Sequence, residues 1–273
     1  MAHTATTSNS AASWRPDINV FAPADVVEDA LILRATTIAG AIEGDEPVIR
    51  AAWVSDDEAV VKAEAETLDE AEPELNEVEI STRKISQMIK LSREQHSQAG
   101  TPEQLSASVR RALVRKADEL FLSDPVGGLV ETVDIVDGGD VTDDLDILVD
   151  LEAMVRTNGA QPTMWVVSPT AWAELRKLKV GVDSNQSLLG AGTSDAQKLL
   201  LDVPVEVSSA LAPGTGLLID SSSIVSAIGE VQVATSTEAF FASDCVAIRA
   251  TWRTGHAVVR PDRLGIFTIG SGS

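Results

Sequence analysis

The sequence predicts an α+β protein, and three stretches of the chain carry that prediction. Residues 48–91 contain two segments rich in β-branched residues with partial alternation, which is typical of strands. Residues 101–122 repeat apolar residues at helical spacing over about five turns. Residues 131–237 mix strand and helix patterns, as expected of an α/β or α+β domain. With 273 residues, 44% of them hydrophobic, the chain can form one large domain or two modest ones.

The beginning of the chain predicts an arm followed by a short helix. Residues 1–20 are small and polar apart from Trp14, a composition that becomes ordered only against a partner. From Pro23 onward apolar residues recur at roughly helical intervals, and Gly40 and Gly44 mark the end of the pattern. We therefore expect a short amphipathic helix there.

A strongly acidic segment separates the two strands predicted within residues 48–91. The strands are VIRAAWV and VEISTRKISQMIKLS, and residues 56–79 contain eleven Asp or Glu against one lysine, Lys62. This segment is too charged to form a core of its own. Two interpretations stay open: a solvated hairpin or flexible loop, or an arm that lies on a neighbouring subunit and pairs its charges there.

The clearest helix of the chain begins near residue 101. Thr101 can cap it, Pro102 suits its first turn, and Gln104 completes a capping box. Apolar residues then follow helical spacing from Leu105 to Phe121. Its basic flank, which we expect to complement nearby carboxylates, consists of Arg110, Arg111, Arg115 and Lys116.

The following region alternates between helices and strands. A helix capped by Thr142, with acids in its first turn, is expected to stop at Asn158-Gly159. TMWVVS is a buried strand, and Ser168 caps a second helix that has Pro169 at its first position. Later strands are predicted in KLLLDVPVEVS, GTGLLID and IGEVQVATS.

Residues 244–263, DCVAIRATWRTGHAVVRPDR, predict a hairpin with one apolar and one basic face. Thr254-Gly255 supplies the turn between its two strands. In the first strand the apolar face consists of Val246, Ile248, Ala250 and Trp252. Ala247, Arg249, Thr251 and Arg253 form the opposite face.

The charge balance argues against a protein whose affinity comes from neutralising phosphates. The chain has 21 basic and 42 acidic residues, a net charge of −21. Cys245 is the only cysteine, which excludes an intrachain disulfide and a cysteine-based zinc site. The sequence shows no secretion signal or apolar spanning segment, so we expect a soluble, cytoplasmic chain.

No stretch of the sequence predicts a catalytic, cofactor or metal site. A GxxxxGK loop is absent, the three histidines are far apart, and Ser168 lacks a G-x-S-x-G elbow. The aspartates between residues 134 and 146 do not match an EF-hand loop, and a helix N-terminus explains several of them. An enzyme with its site around Ser168 or these aspartates remains the alternative from another functional class.

Several local patterns follow one another in an informative order. They are RPDINVFAPADVV, an acid-rich hairpin before VEISTRKISQMIKLSRE, the helix ending in ELFLSDPVGGL, MWVVSPTAWAELRKLK, LLLDVPVEVS with GTGLLIDSS, and FFASDCVAIRATWRTGHAVVRPDR. Each pattern alone is weak, but their order and spacing are specific. Over residues 15–268 the chain resembles the major capsid proteins of tailed bacteriophages, whose fold is shared with encapsulins and herpesvirus capsid floors.

The resemblance implies the tailed-phage major capsid fold. Residues 1–45 would form the N-terminal arm and residues 46–84 the extended β-hairpin loop. A peripheral domain with a long spine helix would comprise residues 85–130 and 238–273. Residues 131–237 would form a mixed α/β axial domain around the fivefold and sixfold axes.

The function that the resemblance implies is structural and not enzymatic. Copies of the chain would self-assemble as hexamers and pentamers into an icosahedral shell that encloses a double-stranded DNA phage genome. Scaffolding, portal and cement proteins are possible partners, DNA would be packaged without sequence specificity, and no membrane is involved. The protein would be made in the cytoplasm of the bacterial host and reside in the virion capsid. The alternative is an encapsulin-type nanocompartment shell that encloses an enzyme cargo.

Intersubunit contacts are expected between the acidic loop and the basic residues near the C-terminus. On the loop the candidates are Lys62, Glu64 and Glu66. Their basic counterparts, expected to pair with acids of the loop or of adjacent subunits, are Arg249, Arg253, Arg260 and Arg263. Some relatives form a Lys-Asn isopeptide, but no asparagine follows Asn185, so we do not expect that crosslink. The arm begins almost immediately, so we expect a separate scaffolding protein or none.

Overall fold

The computed structural model describes residues 18–54, 75–96, 101–179, 186–189 and 198–270. These residues form six α-helices and thirteen strands. In chain order the elements are β1 (Ile18–Phe21), α1 (Pro23–Val26), α2 (Leu31–Arg34), β2 (Thr37–Ile42), β3 (Val48–Val54), β4 (Leu75–Ser92), α3 (Arg93–His96), α4 (Thr101–Leu122), β5 (Val136–Val141), α5 (Asp146–Thr157), β6 (Met164–Val167), α6 (Pro169–Lys177), β7 (Leu199–Leu200), β8 (Val203–Val207), β9 (Thr215–Ile219), β10 (Ile224–Gly229), β11 (Val231–Phe240), β12 (Cys245–Val258) and β13 (Gly265–Ile269).

A seven-stranded sheet is organised around β12, the strand that has partners on both edges along its length. One edge of β12 pairs with β4 in antiparallel register. The other edge pairs with β11 and then with β10, also antiparallel. The sheet ends at β1 beside β11 and at β2, which is parallel to β10. The strand β4 continues past the sheet and pairs there with β3.

A six-stranded sheet has the order β5-β13-β9-β6-β8-β7. The strand β6 shows why the segment TMWVVS carries no polar alternation. Met164 and Val166 enter the core beneath α4, whereas Trp165 and Val167 enter a second core with α5 and α6. Both faces of this strand are therefore buried, and a continuous apolar run is the pattern that such a strand requires.

The helix α4 packs its apolar stripe against the seven-stranded sheet. Val109, Leu113, Ala117 and Phe121 recur at intervals of four residues and are buried. They share a core with Trp252, whose indole Nε1 donates to the carbonyl of Gly229 at 2.9 Å. The predicted helix over residues 101–122 is confirmed. The predicted cap at Thr101 lies outside the described side chains, as the predicted arm does in residues 1–17.

The predicted start of α6 is also confirmed. The Oγ atom of Ser168 accepts a hydrogen bond from the Ala171 N–H at 3.1 Å, and Pro169 occupies the first helical position. The strand TMWVVS corresponds to β6. Asn158-Gly159 ends α5 as predicted, with Gly159 at a φ of 82°.

The helix predicted from Pro23 is wrong in extent. The structure has two single-turn helices, α1 and α2, and the following residues form β2. The Thr36 hydroxyl donates to the Ile32 carbonyl at 2.6 Å, which closes α2. The β-branched residues Thr37 and Ile38 then continue as a strand because β10 offers them a parallel partner.

Thr142 does not cap α5. The preceding residues form the strand β5, and the helix begins later, at Asp146, after an N-cap residue, Leu145, that makes no side-chain cap. Asp144 instead accepts a hydrogen bond from the Asp146 N–H at 3.1 Å. The Asp144 carboxylate, one residue before the N-cap, thus accepts from a backbone N–H at the start of α5, the role predicted for the Thr142 hydroxyl.

The segment KLLLDVPVEVS is divided into β7 and β8 by a tight turn. Leu201 and Asp202 both have positive φ, 49° and 63°, as a two-residue type I′ hairpin turn requires. The segment IGEVQVATS is likewise divided, with Glu230 between β10 and β11. GTGLLID corresponds to the buried strand β9.

The hairpin predicted for residues 244–263 is wrong. Residues 245–258 form one uninterrupted strand, β12, and Thr254-Gly255 lies inside it. The predicted alternation of its first part holds only in part: Val246, Ala250 and Trp252 are buried and Arg249 is exposed, but Ala247 of the opposite face is also buried and Ile248 only half-buried. None of the helices in the described residues is long and apolar enough to cross a membrane.

Candidate intersubunit surface at the long hairpin

The strand β4 is longer than the sheet to which it belongs. Residues 82–92 pair with β12, whereas residues 75–81 pair only with β3. The β3–β4 hairpin therefore projects from the sheet at Thr82. We call the residues around this point, Asp45, Glu46, Thr82 and Arg253, the hairpin root.

Thr82 joins the two chain segments that meet at the hairpin root. Its backbone N–H donates to the Pro47 carbonyl at 2.8 Å, and its hydroxyl donates to the Glu46 carbonyl at 2.5 Å. The Arg253 guanidinium donates to the Thr82 hydroxyl at 3.0 Å and to Asp45 Oδ1 at 3.3 Å. A strand residue of the sheet thus fixes both sides of the hairpin at its base.

The charges at the hairpin root are unequally exposed. The Arg253 side chain is 17% exposed, whereas that of Asp45 is 76% exposed. The Lys84 ammonium lies 3.3 Å from Asp45 Oδ1, and its hydrogen bond is the main reason why the pKa of Asp45 is lowered, with Arg253 adding to the effect. Asp45 therefore stays ionised between two cations.

Gly255 allows β12 to approach the hairpin closely. A Cβ atom at this position would lie 2.5 Å from the Ser81 carbonyl oxygen, which is backbone and has little freedom to move. Only glycine fits beside the point where β4 leaves the sheet.

The four arginines proposed as intersubunit contacts lie in different surroundings. Arg253 belongs to the hairpin root, and the Arg260 guanidinium lies 5.1 Å from the ring centroid of Trp53 in β3. Arg263 donates from Nε to the Asn158 carbonyl at the end of α5, at 3.0 Å. Lys62, Glu64 and Glu66 lie outside the described residues.

Arg249 differs from the other three because its side chain is exposed and, among the described residues, forms no ion pair or hydrogen bond. In the sheet register it lies opposite Met88 of β4, which is 62% exposed. Lys84 and Lys90 are exposed on the same face of β4, and the Lys90 ammonium lies 4.6 Å from the Phe240 ring centroid. We call this surface, Lys84, Met88, Lys90 and Arg249, the basic sheet face.

The hairpin is also linked to the C-terminal end of α4. Arg83 forms an ion pair with Asp124 at 2.7 Å and donates to the Val126 carbonyl at 3.1 Å. Beside them lies a cavity of about 330 Å³ whose wall includes His256. Burial lowers the pKa of His256 to about 4, and its Nε2 atom has no hydrogen-bond partner in the described part of the chain.

The residues considered for enzyme chemistry have structural uses. The buried Ser168 hydroxyl caps α6 and accepts from the Gly214 N–H at 3.0 Å. Asp137 accepts from the Gly139 N–H, and Asp140 from the Thr268 hydroxyl. In the ranges that the structure describes, no three His, Cys, Asp or Glu side chains are grouped to bind a metal ion.

Sequence reasoning found the arginines of this region but missed several of their partners. Asp45, Thr82 and Arg83 carry no local signal, because their roles arise only when β4 pairs with β12. Gly255 carried a signal, but the dipeptide Thr-Gly was interpreted as a turn.

The sequence matches the model of the phage capsid family over residues 26–269. The chain belongs to the phage capsid family. It is a structural major capsid protein, and its place is the virion capsid. No protein with curated annotation matches the sequence.

Solved structures show the same fold. A chain of Mycobacterium phage Cain has a TM-score of 0.65 at 13% identity, with 99% of this chain and 100% of that chain covered. A chain of Gordonia phage Cozz has a TM-score of 0.63 at 12% identity, covering 89% and 87%. A chain in the capsid of a native GTA particle, computed with C5 symmetry, has a TM-score of 0.63 at 18% identity, covering 86% and 89%. The predicted α+β capsid fold is confirmed.

Proposed function

We propose that copies of this capsid protein assemble as hexamers and pentamers into an icosahedral shell around a double-stranded DNA genome. The family match over residues 26–269 is the observation that carries the proposal. Similarity to a capsid computed with C5 symmetry supports a pentameric arrangement. The proposal includes synthesis in the cytoplasm of the bacterial host, and scaffolding, portal and cement proteins as partners. The DNA would be enclosed without sequence specificity.

The proposed role is that of a structural protein and not of an enzyme. Support comes from the Ser168 hydroxyl, which is buried and engaged with two backbone N–H groups, an arrangement unsuited to a nucleophile. His256 is half-buried and packs edge-on against Phe121, with 4.9 Å between the ring centroids.

The sheets support a refined division of the chain into capsid subdomains. Residues 1–45 remain the proposed arm and residues 46–84 the extended loop. The strands β10 and β11 pair within the seven-stranded sheet, so we assign them to the peripheral domain together with residues 85–130. The strand β13 pairs within the six-stranded sheet, so we assign it to the axial domain.

Electron microscopy of purified particles tests the shell proposal. We expect angular shells that contain DNA. Small shells of uniform size that contain an enzyme would favour the encapsulin-type alternative instead. Size-exclusion chromatography that gives only a monomer of 28.8 kDa, at every salt and protein concentration, would contradict both shell functions.

For the intersubunit contact we propose that the basic sheet face receives acids of a neighbouring subunit's loop. Arg249 supports this because it is exposed and lacks an ion pair in the described residues, although acids outnumber bases twofold in the chain. Glu64 and Glu66 are the proposed acids, with Lys62 beside them. Arg253, Arg260 and Arg263 contribute first to contacts within their own subunit.

Charge reversal tests this contact. Arg249→Glu should lower the particle yield, and Glu64→Lys with Glu66→Lys should restore part of it in the Arg249→Glu background. Arg176→Glu is the matched control because Arg176 is also exposed and has no ion pair among the described residues. Equal yields from Arg249→Glu and wild type would contradict the contact.

A further inference from the structure

A cleft of about 250 Å³ lies between the long helix α4 and the turn that follows β8. The wall on the α4 side carries Arg110, Arg111 and Arg115, and the opposite wall is formed by residues 207–210. This cleft is separate from the hairpin root and from the basic sheet face. None of its residues has a role in the contacts described above.

The three arginines are not equally neutralised. Arg110 Nη2 lies 2.8 Å from Glu28 and 2.6 Å from Asp29, and these hydrogen bonds raise its pKa. Arg111 and Arg115 are exposed and form no ion pair with any described residue.

One acid of the same helix, Glu119, lies four residues after Arg115 but is engaged with another cation. Glu119 accepts from the Lys116 ammonium at 2.7 Å. Like charges four residues apart on a helix repel one another. Arg111 and Arg115 therefore repel one another, and an anion bound between them would relieve that repulsion.

Serine hydroxyls complete the polar lining. The Oγ atom of Ser208 accepts from the Ala210 N–H at 3.2 Å, which leaves its own proton for a ligand. Ser209 is exposed beside it. Planar guanidinium groups with hydroxyl donors are the side chains that recognise phosphate oxygens.

We propose that this cleft binds a phosphate group through Arg111, Arg115 and the hydroxyls of Ser208 and Ser209. A carboxylate offers two oxygens, fewer than the donors assembled here, whereas a phosphate offers three or four. The phosphate can be inorganic phosphate or a backbone phosphate of DNA. A DNA contact of this kind would be confined to one cleft of an otherwise acidic protein.

Two acids, Asp29 and Asp118, also lie at the cleft, and whether their carboxyl groups are charged affects the binding of an anion there. Asp29 is neutralised by Arg110, as described above. Asp118 accepts from the Leu31 N–H at 2.8 Å, and burial raises its pKa to about 6, with Asp29 and Glu206 raising it and Arg34 opposing them. Below that pH the Asp118 carboxyl becomes neutral, so its repulsion of a bound phosphate should be present at pH 7.5 and largely lost at pH 5.5.

Isothermal titration calorimetry of the full chain with inorganic phosphate, at constant ionic strength, tests the site. The double variant Arg111→Ala/Arg115→Ala should bind about tenfold more weakly or worse. The control Arg176→Ala/Lys198→Ala removes the same charge from exposed positions elsewhere and should bind within about twofold of wild type. Circular dichroism melts would verify that each variant is folded.

The variant Asp118→Asn separates the site from general electrostatics. Asparagine keeps an acceptor for the Leu31 N–H but does not titrate, so Asp118→Asn should bind phosphate more tightly than wild type at pH 7.5, and the two affinities should converge at pH 5.5. The titration of phosphate itself is common to both proteins. Equal pH dependence in the two would contradict the placement of the phosphate beside Asp118.

A DNA duplex as competitor identifies the source of the phosphate. Displacement of inorganic phosphate by the duplex assigns the cleft to nucleic acid, and no displacement assigns it to the free ion. The proposal is overturned if wild type binds no phosphate, if the Arg111→Ala/Arg115→Ala variant binds like wild type, or if the control loses as much. Because the readout is binding to the chain itself, it stands apart from the test of shell assembly.

Discussion

Gly255 of β12 has no room for a side chain, because it lies against the backbone of β4. The substitution Gly255→Ala would put a methyl carbon 2.5 Å from the Ser81 carbonyl oxygen. We expect it to lower the free energy of unfolding by roughly 1–3 kcal/mol, as overpacking does. Urea unfolding measures this. Gly40→Ala is the milder control, because its new carbon would lie 3.3 Å from the Cγ2 methyl of Ile49, a longer distance than the one to the Ser81 carbonyl. Equal losses in both variants would contradict the close contact.

At the residue scale, the lowered pKa of His256 predicts that the free energy of unfolding depends on pH. Its pKa is lowered from 6.5 to about 4 by burial, so the folded chain binds fewer protons than the unfolded chain between these values. Stability should fall as the pH drops through this window, by up to about 3 kcal/mol at pH 4. The comparison is with His256→Gln, which keeps a donor but does not titrate.

Asp118 affects the pH dependence of stability in the opposite direction to His256. The comparison between wild type and His256→Gln must therefore cancel the Asp118 contribution. Its raised pKa means that the folded chain binds more protons between pH 3.8 and about 6, so its contribution rises as the pH falls. Because Asp118 is present in both proteins, its effect cancels in the difference between wild type and His256→Gln. A difference that does not change from pH 7 to pH 4 would mean that His256 is not held in its neutral form.

At the scale of the element, the hairpin root determines how firmly the β3–β4 hairpin is held. Arg253→Ala removes the donor to Thr82 and Asp45, so amides in residues 48–54 and 75–81 should exchange with solvent roughly fivefold faster, the effect of one lost hydrogen bond. Hydrogen exchange with mass spectrometry measures this. Arg249→Ala is the control on the same strand, and equal exchange rates in Arg253→Ala and wild type would contradict the anchoring role.

The elements also show where sequence reasoning succeeds. The helix α4 and the strands β3, β4 and β6 were predictable because their patterns are local and long or continuous. β12 was wrongly predicted as a hairpin because Thr-Gly is a local turn signal. In the structure, eleven residue pairs with β4 hold these residues in one continuous strand. The arginines were found by their clustering, but their partners were not, because Asp45 and Trp53 lie some two hundred residues away in the chain.

At the scale of the whole molecule, the net charge of −21 opposes the association of subunits. Exposed ion pairs contribute little each, so ion pairs between subunits would not offset the repulsion among many copies. Apolar and shape contacts must therefore supply most of the stability of a shell. Salt distinguishes the long-range repulsion from the ion pairs between subunits. Screening weakens both, but weakens the long-range repulsion first.

We expect assembly to improve when salt is raised from about 10 mM to about 150 mM, since the screening length falls from roughly 30 Å to 8 Å and long-range repulsion weakens first. The subunit concentration at which particles appear, measured by light scattering and microscopy, should decrease. Paired cations and acids at close range are screened less, so the Arg249 contact should survive this change. An increase of the threshold concentration with salt would show that ion pairs between subunits dominate over the net charge, and Arg249→Glu would then lose its assembly defect at high salt.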